Sequence, residues 1–151
     1  MRFGLLMPLS EASVETVVLY REAMPENIPG IKKDLDAIIA RYSTHPALLG
    51  YFVHDEPGRD WFGRLAVINQ YLLEKDPNHL PYINLLPNYA GPAGSEWRGR
   101  SYERSIAMYI KTVKPVWLSW DHYRQMFENG DESCYWENLE IVRRNCLKGR
   151  W

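Results

Sequence analysis

Cysteine is nearly absent from this chain. Cys134 and Cys146 are its only two; they lack the doublet spacing of a zinc site, and a helical pattern between them would hold them far apart, which predicts two thiols and no disulfide framework. Charge of one sign is missing too. Eighteen Lys and Arg stand against nineteen Asp and Glu, for a net charge of -1, so nothing pulls the protein electrostatically toward nucleic acid or an anionic membrane, and a phosphate-binding role is not favoured. No stretch approaches the ~20 apolar residues of a membrane span. The opening "MRFGLLMPLS" carries one Arg and a short apolar run, without the long apolar region or small-residue cleavage site of a secretory leader. The expectation is a single domain over residues 1–151, soluble as given and with no visible export signal. Its compartment is left open.

Rings are abundant instead. Phe, Trp and Tyr make up 13% of the chain, with six Trp and ten Tyr, more than a core alone usually requires. Aromatic side chains bury well anywhere, and they are also the flat surfaces on which sugar faces and other partly apolar ligands stack.

The chain alternates between two patterns. Apolar, strand-like runs occupy residues 2–9, 48–54, 81–86 and 116–120, and each is followed by a helical pattern. "IKKDLDAIIARYSTHP" puts Ile31, Leu35, Ile38, Ile39 and Tyr42 on one face and stops at Pro46. "DWFGRLAVINQYLLEKDP" gathers Phe62, Leu65, Ala66, Ile68, Asn69, Leu72 and Leu73 near one side, with Asp60 as expected N-cap and Asp76-Pro77 as exit. In "SYERSIAMYIKTVKP", Ser101 is the expected cap, Ile106, Tyr109, Ile110 and Val113 face inward, and Pro115 ends the segment. "YWENLEIVRRNCLKGR" is the fourth, with Gly149 as its stop. Loops rich in Pro, Gly and Asn fall at 24–30 and 88–99. Four strand-helix units with strands buried on both faces predict an α/β fold with a parallel sheet.

In such folds the chemically useful residues gather where strands end. The second strand ends in His54-Asp55-Glu56-Pro57, the third in Asn84-Leu85-Leu86-Pro87-Asn88-Tyr89, and the fourth in Ser119-Trp120-Asp121-His122-Tyr123. All three ends would open onto one rim, surrounding a cleft with carboxylates, carboxamides, an imidazole and rings.

"HPALLGYFVHDEP", "DPNHLPYINLLPNYA" and "VKPVWLSWDHY" together resemble the glycoside hydrolase-like (β/α)8 barrels of the β-galactosidase-like, clan A superfamily. The resemblance covers most of the chain, residues 41–123 most firmly. It implies that Glu56, in a tripeptide similar to that superfamily's Asn-Glu-Pro, takes the general acid/base position after barrel strand four, with Asp55 where Asn is more common. A full barrel has eight strands over ~250 residues. Four units would then represent about half a TIM barrel, roughly strands three to six, ending before the seventh strand where the superfamily carries its nucleophile. Such a partial (β/α)-barrel domain would have open edges and apolar faces that favour self-association or pairing with a missing barrel half. The resemblance implies a carbohydrate ligand and no cofactor.

On this reading Glu56 protonates a glycosidic oxygen, its pKa raised by an apolar cleft and a nearby carboxylate; the plainer reading is an Asp-Glu pair capping the next helix. Asp121 is the candidate second carboxylate, either as a base or as a binder of sugar hydroxyls beside His122. Asn84 and Asn88 offer donor and acceptor on one side chain, or else turn chemistry around Pro87. Tyr89, Trp120 and Tyr123 are candidate stacking platforms, and Tyr51 is assigned to core or cleft lining. His45 and His79 sit beside prolines and are read as surface or capping residues. A rival enzyme class, a metal-dependent isomerase or hydrolase, would use His54, Asp55, Glu56, Asp121 and His122. It is disfavoured because adjacent strand residues face opposite ways, so His54 and Asp55 cannot both face the cleft without a bulge. A non-catalytic carbohydrate-binding or structural half barrel is the remaining alternative.

Overall fold

The computed structural model describes residues 7–9, 28–90, 100–123 and 132–149. They form strand β1 (Met7–Leu9), helix α1 (Ile28–Tyr42), strand β2 (Leu48–Asp55), a short 3-10 turn (Arg59–Trp61) leading into helix α2 (Phe62–Lys75), strand β3 (Leu80–Leu85), helix α3 (Arg100–Val113), strand β4 (Ser119–Trp120) and helix α4 (Glu132–Gly149). The first expected strand lies outside the described residues except for 7–9, as does the loop at 91–99.

All four strands are parallel and lie in chain order, β1-β2-β3-β4. Crossovers of one hand between strands so ordered put every helix on the same side of the sheet. The helices pack in the same order, α1 on α2, α2 on α3 and α3 on α4. Between helices and sheet lies the core. Ile31, Leu35 and Ile38 of α1, Phe62, Leu65, Ile68 and Leu72 of α2, and Tyr102, Ile106, Tyr109 and Val113 of α3 are buried against Tyr51 and Val53 of β2 and Ile83 and Leu85 of β3. Each large side chain so buried contributes roughly 1.5–3 kcal/mol.

Helix starts differ from the expected caps. Asp60 falls inside the 3-10 turn, and α2 begins after Trp61 with no side-chain cap. Ser101 lies within α3, whose first residue is Arg100. Its hydroxyl and carbonyl instead accept from the Arg59 guanidinium, which also donates to Ser105 Oγ at 2.7 Å. A side chain from the β2–α2 connection thus outcompetes capping and fixes that connection to α3. At its other end α3 stops on Lys114, whose positive φ of 51° is a left-handed C-terminal conformation, and the buried Asn69 amide donates to the Val113 and Lys114 carbonyls. Neither Cys134 nor Cys146 is in a disulfide. No helix among the described residues is long and apolar enough to cross a membrane.

Candidate functional site

The face of the sheet turned away from the helices carries two rows of side chains. Phe52, Tyr82 and Trp117 form the first, with ring centroids 5.1 and 4.9 Å apart in succession, and the Trp117 indole N–H donates to the Pro81 carbonyl. Asp55, Asn84 and Ser119 form the second, one step nearer the strand C-termini. Asn84 Nδ2 donates to Asp55 Oδ1 at 3.0 Å, Ser119 Oγ donates to Asn84 Oδ1 at 3.2 Å, and Ser119 Oγ lies 3.1 Å from the Tyr82 hydroxyl. The network fixes which way the Asn84 amide points, because a carboxylate only accepts.

Asp55 reaches this row through an irregularity in β2. Phe52 pairs with Tyr82, but the next pair is His54 with Ile83 and then Asp55 with Asn84, so Val53 is an extra residue. The bulge resets the alternation. Val53 goes into the core, the His54 ring packs against Trp61 at a centroid distance of 4.9 Å, and Asp55 joins Asn84. His54 Nδ1 lies 2.6 Å from the Asp55 carbonyl, to which it must donate. The bulge that would have let His54 and Asp55 share a cleft is present, yet it separates them: His54 turns toward the α2 side. Among the described residues no group of three or more His, Cys, Asp or Glu is placed to hold a metal ion.

Beyond Asp55 the ladders run on for one more bond at each strand. Glu56 N donates to the Asn84 carbonyl at 2.8 Å and Asp121 N to the Leu85 carbonyl at 3.3 Å. These bonds set the two residues at neighbouring strand ends. Glu56 has a φ of 46°, a left-handed conformation that costs a residue with a Cβ. Its carboxyl is held above the ordinary carboxylate range, first by desolvation, then by the charges of Asp121 and Asp55. Asp121 Oδ2 accepts from the Tyr123 hydroxyl at 2.8 Å, while its buried Oδ1 has no partner. That bond and the Asp121 charge, with smaller contributions from desolvation, Glu56 and Asp55, push the Tyr123 phenol up to about 12. Three carboxylates, one carboxamide and one phenol therefore share a single electrostatic environment at the rim.

The remaining expected site residues divide. Tyr89 is at the rim: its hydroxyl accepts from Tyr123 N at 2.7 Å, and its ring meets His122 edge-on at 4.8 Å. Asn88 is buried and held by α4, its backbone N–H donating to Asn138 Oδ1 and its Nδ2 to the Cys134 carbonyl, with Cys134 Sγ 3.0 Å from its Oδ1. It anchors a helix and has no donor set facing the rim. Trp120 packs partly buried against the core, because the alternation that points Ser119 to the rim face points its neighbour inward. Tyr51 is fully buried, and its hydroxyl donates to Asp76 Oδ2 at 2.6 Å; His79 Nδ1 lies 2.8 Å from the same oxygen. His79 therefore belongs to a buried polar cluster rather than to the surface, whereas His45 is exposed with Nδ1 accepting from Ala47 N.

Sequence reasoning missed Ser119 and Tyr82, which complete the Asn84 network, and Tyr135 and Trp136, whose rings continue from His122. The adjacent aromatics in "SCYWENL" were a signal, read there only as helix. Compared with family models, with curated proteins and with solved structures, the chain matches none.

Proposed function

We propose that this chain is about half of a (β/α) barrel, equivalent to strands three to six, whose strand-end rim binds carbohydrate, with Glu56 in the position of a glycosidase general acid. The observation that carries the reading is the convergence of Asp55, Glu56 and Asp121 around Asn84 at the ends of three adjacent parallel strands. Sequential strand order with one layer of helices is the arrangement of a barrel segment. A carboxyl whose proton is held more tightly than usual, beside two other carboxyl groups, has the character of a proton donor, and the αL backbone of Glu56 is the kind of strain that clusters at functional sites. Asn84 and Asp121 would bind sugar hydroxyls, and Tyr89 and Tyr123 would bracket the ring. Hydrolysis needs a second carboxylate at a set distance across the sugar, which the resemblance to glycosidases would put on a later barrel strand, so binding is the property to test first.

The test is calorimetric titration of the chain with a panel of neutral mono- and oligosaccharides, alongside Glu56→Gln and Asn84→Ala. Binding should survive Glu56→Gln, which keeps shape and hydrogen-bonding capacity, and weaken by roughly tenfold in Asn84→Ala, which removes a polar group worth about 1.5 kcal/mol. Failure of every sugar to bind would refute the proposal. Aryl glycosides assayed with the same proteins ask whether the chain also cleaves.

A further inference from the structure

Helix α4 has one face in use and one open. Asn138, Ile141, Val142 and Asn145 are buried on the side turned to the rest of the molecule, where Asn138 Nδ2 donates to the Tyr102 hydroxyl of α3. Half a revolution away, at successive spacings of four, three and four residues, stand Trp136, Glu140, Arg143 and Leu147. The outer face of a surface helix is ordinarily polar, yet Trp136 is 57% exposed and Leu147 64%. Among the described residues no other helix presents two large apolar side chains to solvent: α3 has Met108, and α1 and α2 have none. The side chains of the stripe are held in place. The Tyr135 ring meets Trp136 edge to face at 5.2 Å, and both Glu140 oxygens accept from the Arg143 guanidinium, at 2.7 and 2.8 Å. Arg144 is drawn aside, between Glu140 at 3.7 Å and Glu103 of α3 at 3.9 Å.

We infer that this stripe is a docking surface for a second copy of the chain, the two α4 helices packing antiparallel about a twofold axis. The order of the four residues identifies the occupant. Alternating steps of three and four are the seam of a helix pair, and the stripe is symmetric about a point midway between Ile141 and Val142. An antiparallel copy therefore sets Trp136 against the partner's Leu147 and Glu140 against the partner's Arg143, and the twofold axis makes each contact twice. Apolar meets apolar at both ends, and opposite charges meet in the middle. A parallel copy in register would instead set Glu140 on the partner's Glu140 and Arg143 on the partner's Arg143, and like charges facing each other oppose it. Charged residues at seam positions thus select both orientation and register. With a net charge of -1, the chain has little long-range repulsion to overcome on meeting its own copy. From Trp136 to Leu147 the seam is about 16 Å long, which puts the contact at the small, transient end of interface sizes. Association on this face is concentration-dependent, and it requires neither the strand-end rim nor a sugar.

The experiment is sedimentation equilibrium of the whole chain, with reductant present to remove thiol cross-links, from about 1 μM to about 1 mM, the range in which a weak interface changes from monomer to dimer. The variants are Trp136→Ala, Glu140→Arg, Arg143→Glu and the double exchange Glu140→Arg/Arg143→Glu. All four residues of the stripe lie away from the core, so the variants keep the fold, which circular dichroism verifies. The wild type should form a reversible dimer and nothing larger. Trp136→Ala and each single charge reversal should raise the dissociation constant by roughly tenfold or more, whereas the double exchange, which restores opposite charges across the twofold axis, should return it to within about threefold of wild type. A wild type that stays monomeric at the highest concentration would overturn the proposal, as would assembly that continues past the dimer. Single reversals that dimerise as well as wild type, or a double exchange that fails to recover, would place the contact elsewhere on the surface and refute the antiparallel α4 pairing.

Discussion

Glu56 is held in a conformation that its own chemistry disfavours, and this makes its contribution to stability separable from its contribution to function. At φ 46° the Cβ crowds the following carbonyl at a cost of about 1–2 kcal/mol. Glycine has no such cost but loses more backbone freedom on folding, about 0.5–1 kcal/mol. Glu56→Ala and Glu56→Gly both remove the carboxylate, and both keep the backbone N–H that donates to the Asn84 carbonyl. Only the glycine removes the Cβ. The difference between these two variants therefore isolates the backbone term, and glycine should be the more stable by about 0.5–1 kcal/mol. In a chain of this size that is roughly 2–4 °C in Tm per kcal/mol, readable by thermal unfolding monitored by circular dichroism at one pH. A glycine variant no more stable than the alanine variant would refute the claim that Glu56 is strained, and with it one support for a functional role.

Three further outcomes follow from the same geometry. Glu56→Gln should stabilise the chain at neutral pH: the folded state holds this proton more tightly than the unfolded state, so the associated stability is complete below the ordinary pKa of 4.5 and is lost as pH rises through the raised folded value. The variant should thus match wild type near about pH 4 and exceed it near about pH 8; equal gains at both would show that the charge is not the cause. Gly50→Ala should cost about 1–3 kcal/mol, since a Cβ there would run into the Leu80 carbonyl and push β2 from β3, and an unchanged urea midpoint would contradict that close approach. Tyr51→Phe should cost about 1–3 kcal/mol by removing a buried donor from Asp76; a denaturation midpoint within error of wild type would mean that His79 alone satisfies the carboxylate.

The elements were legible because their periodicities are strong. Leu35 and Ile38 in α1, Phe62 and Leu72 in α2, and Ile106, Tyr109 and Val113 in α3 all lie in the core where their spacing puts them, and the runs at 48–54 and 81–86 lie in a parallel sheet, whereas of the run at 116–120 only Ser119 and Trp120 are strand. What the sequence could not supply was competition between side chains far apart in the chain. Ser101 would cap a helix in isolation, but Arg59, 42 residues away, takes its hydroxyl. Asn88 looks like a ligand-binding carboxamide beside a proline, yet α4, 46 residues on, engages it through the Cys134 carbonyl. Polar residues at strand ends are equally suited to holding ligands and to holding helices, and only the tertiary partner decides which.

The bulge in β2 is where that ambiguity has the largest consequence. Strict alternation along β2 would put Phe52, His54 and Glu56 on one face and Val53 and Asp55 on the other. The rim would then present an imidazole next to Glu56, a combination suited to metal binding, and Asp55 would be driven toward the apolar helix layer without a partner. One extra residue at Val53 inverts this. It keeps the apolar side chain in the core, leaves His54 against Trp61, and brings Asp55 within 3.0 Å of the Asn84 amide, which turns the rim from a mixed nitrogen and oxygen donor set into carboxylates and a carboxamide. Burying an unpaired Asp55 carboxylate would be costly, so the unbulged register is disfavoured for the same reason that the bulged one is chemically distinctive. The polarity of a single residue thus selects the register, and the register selects which chemistry the strand end can perform.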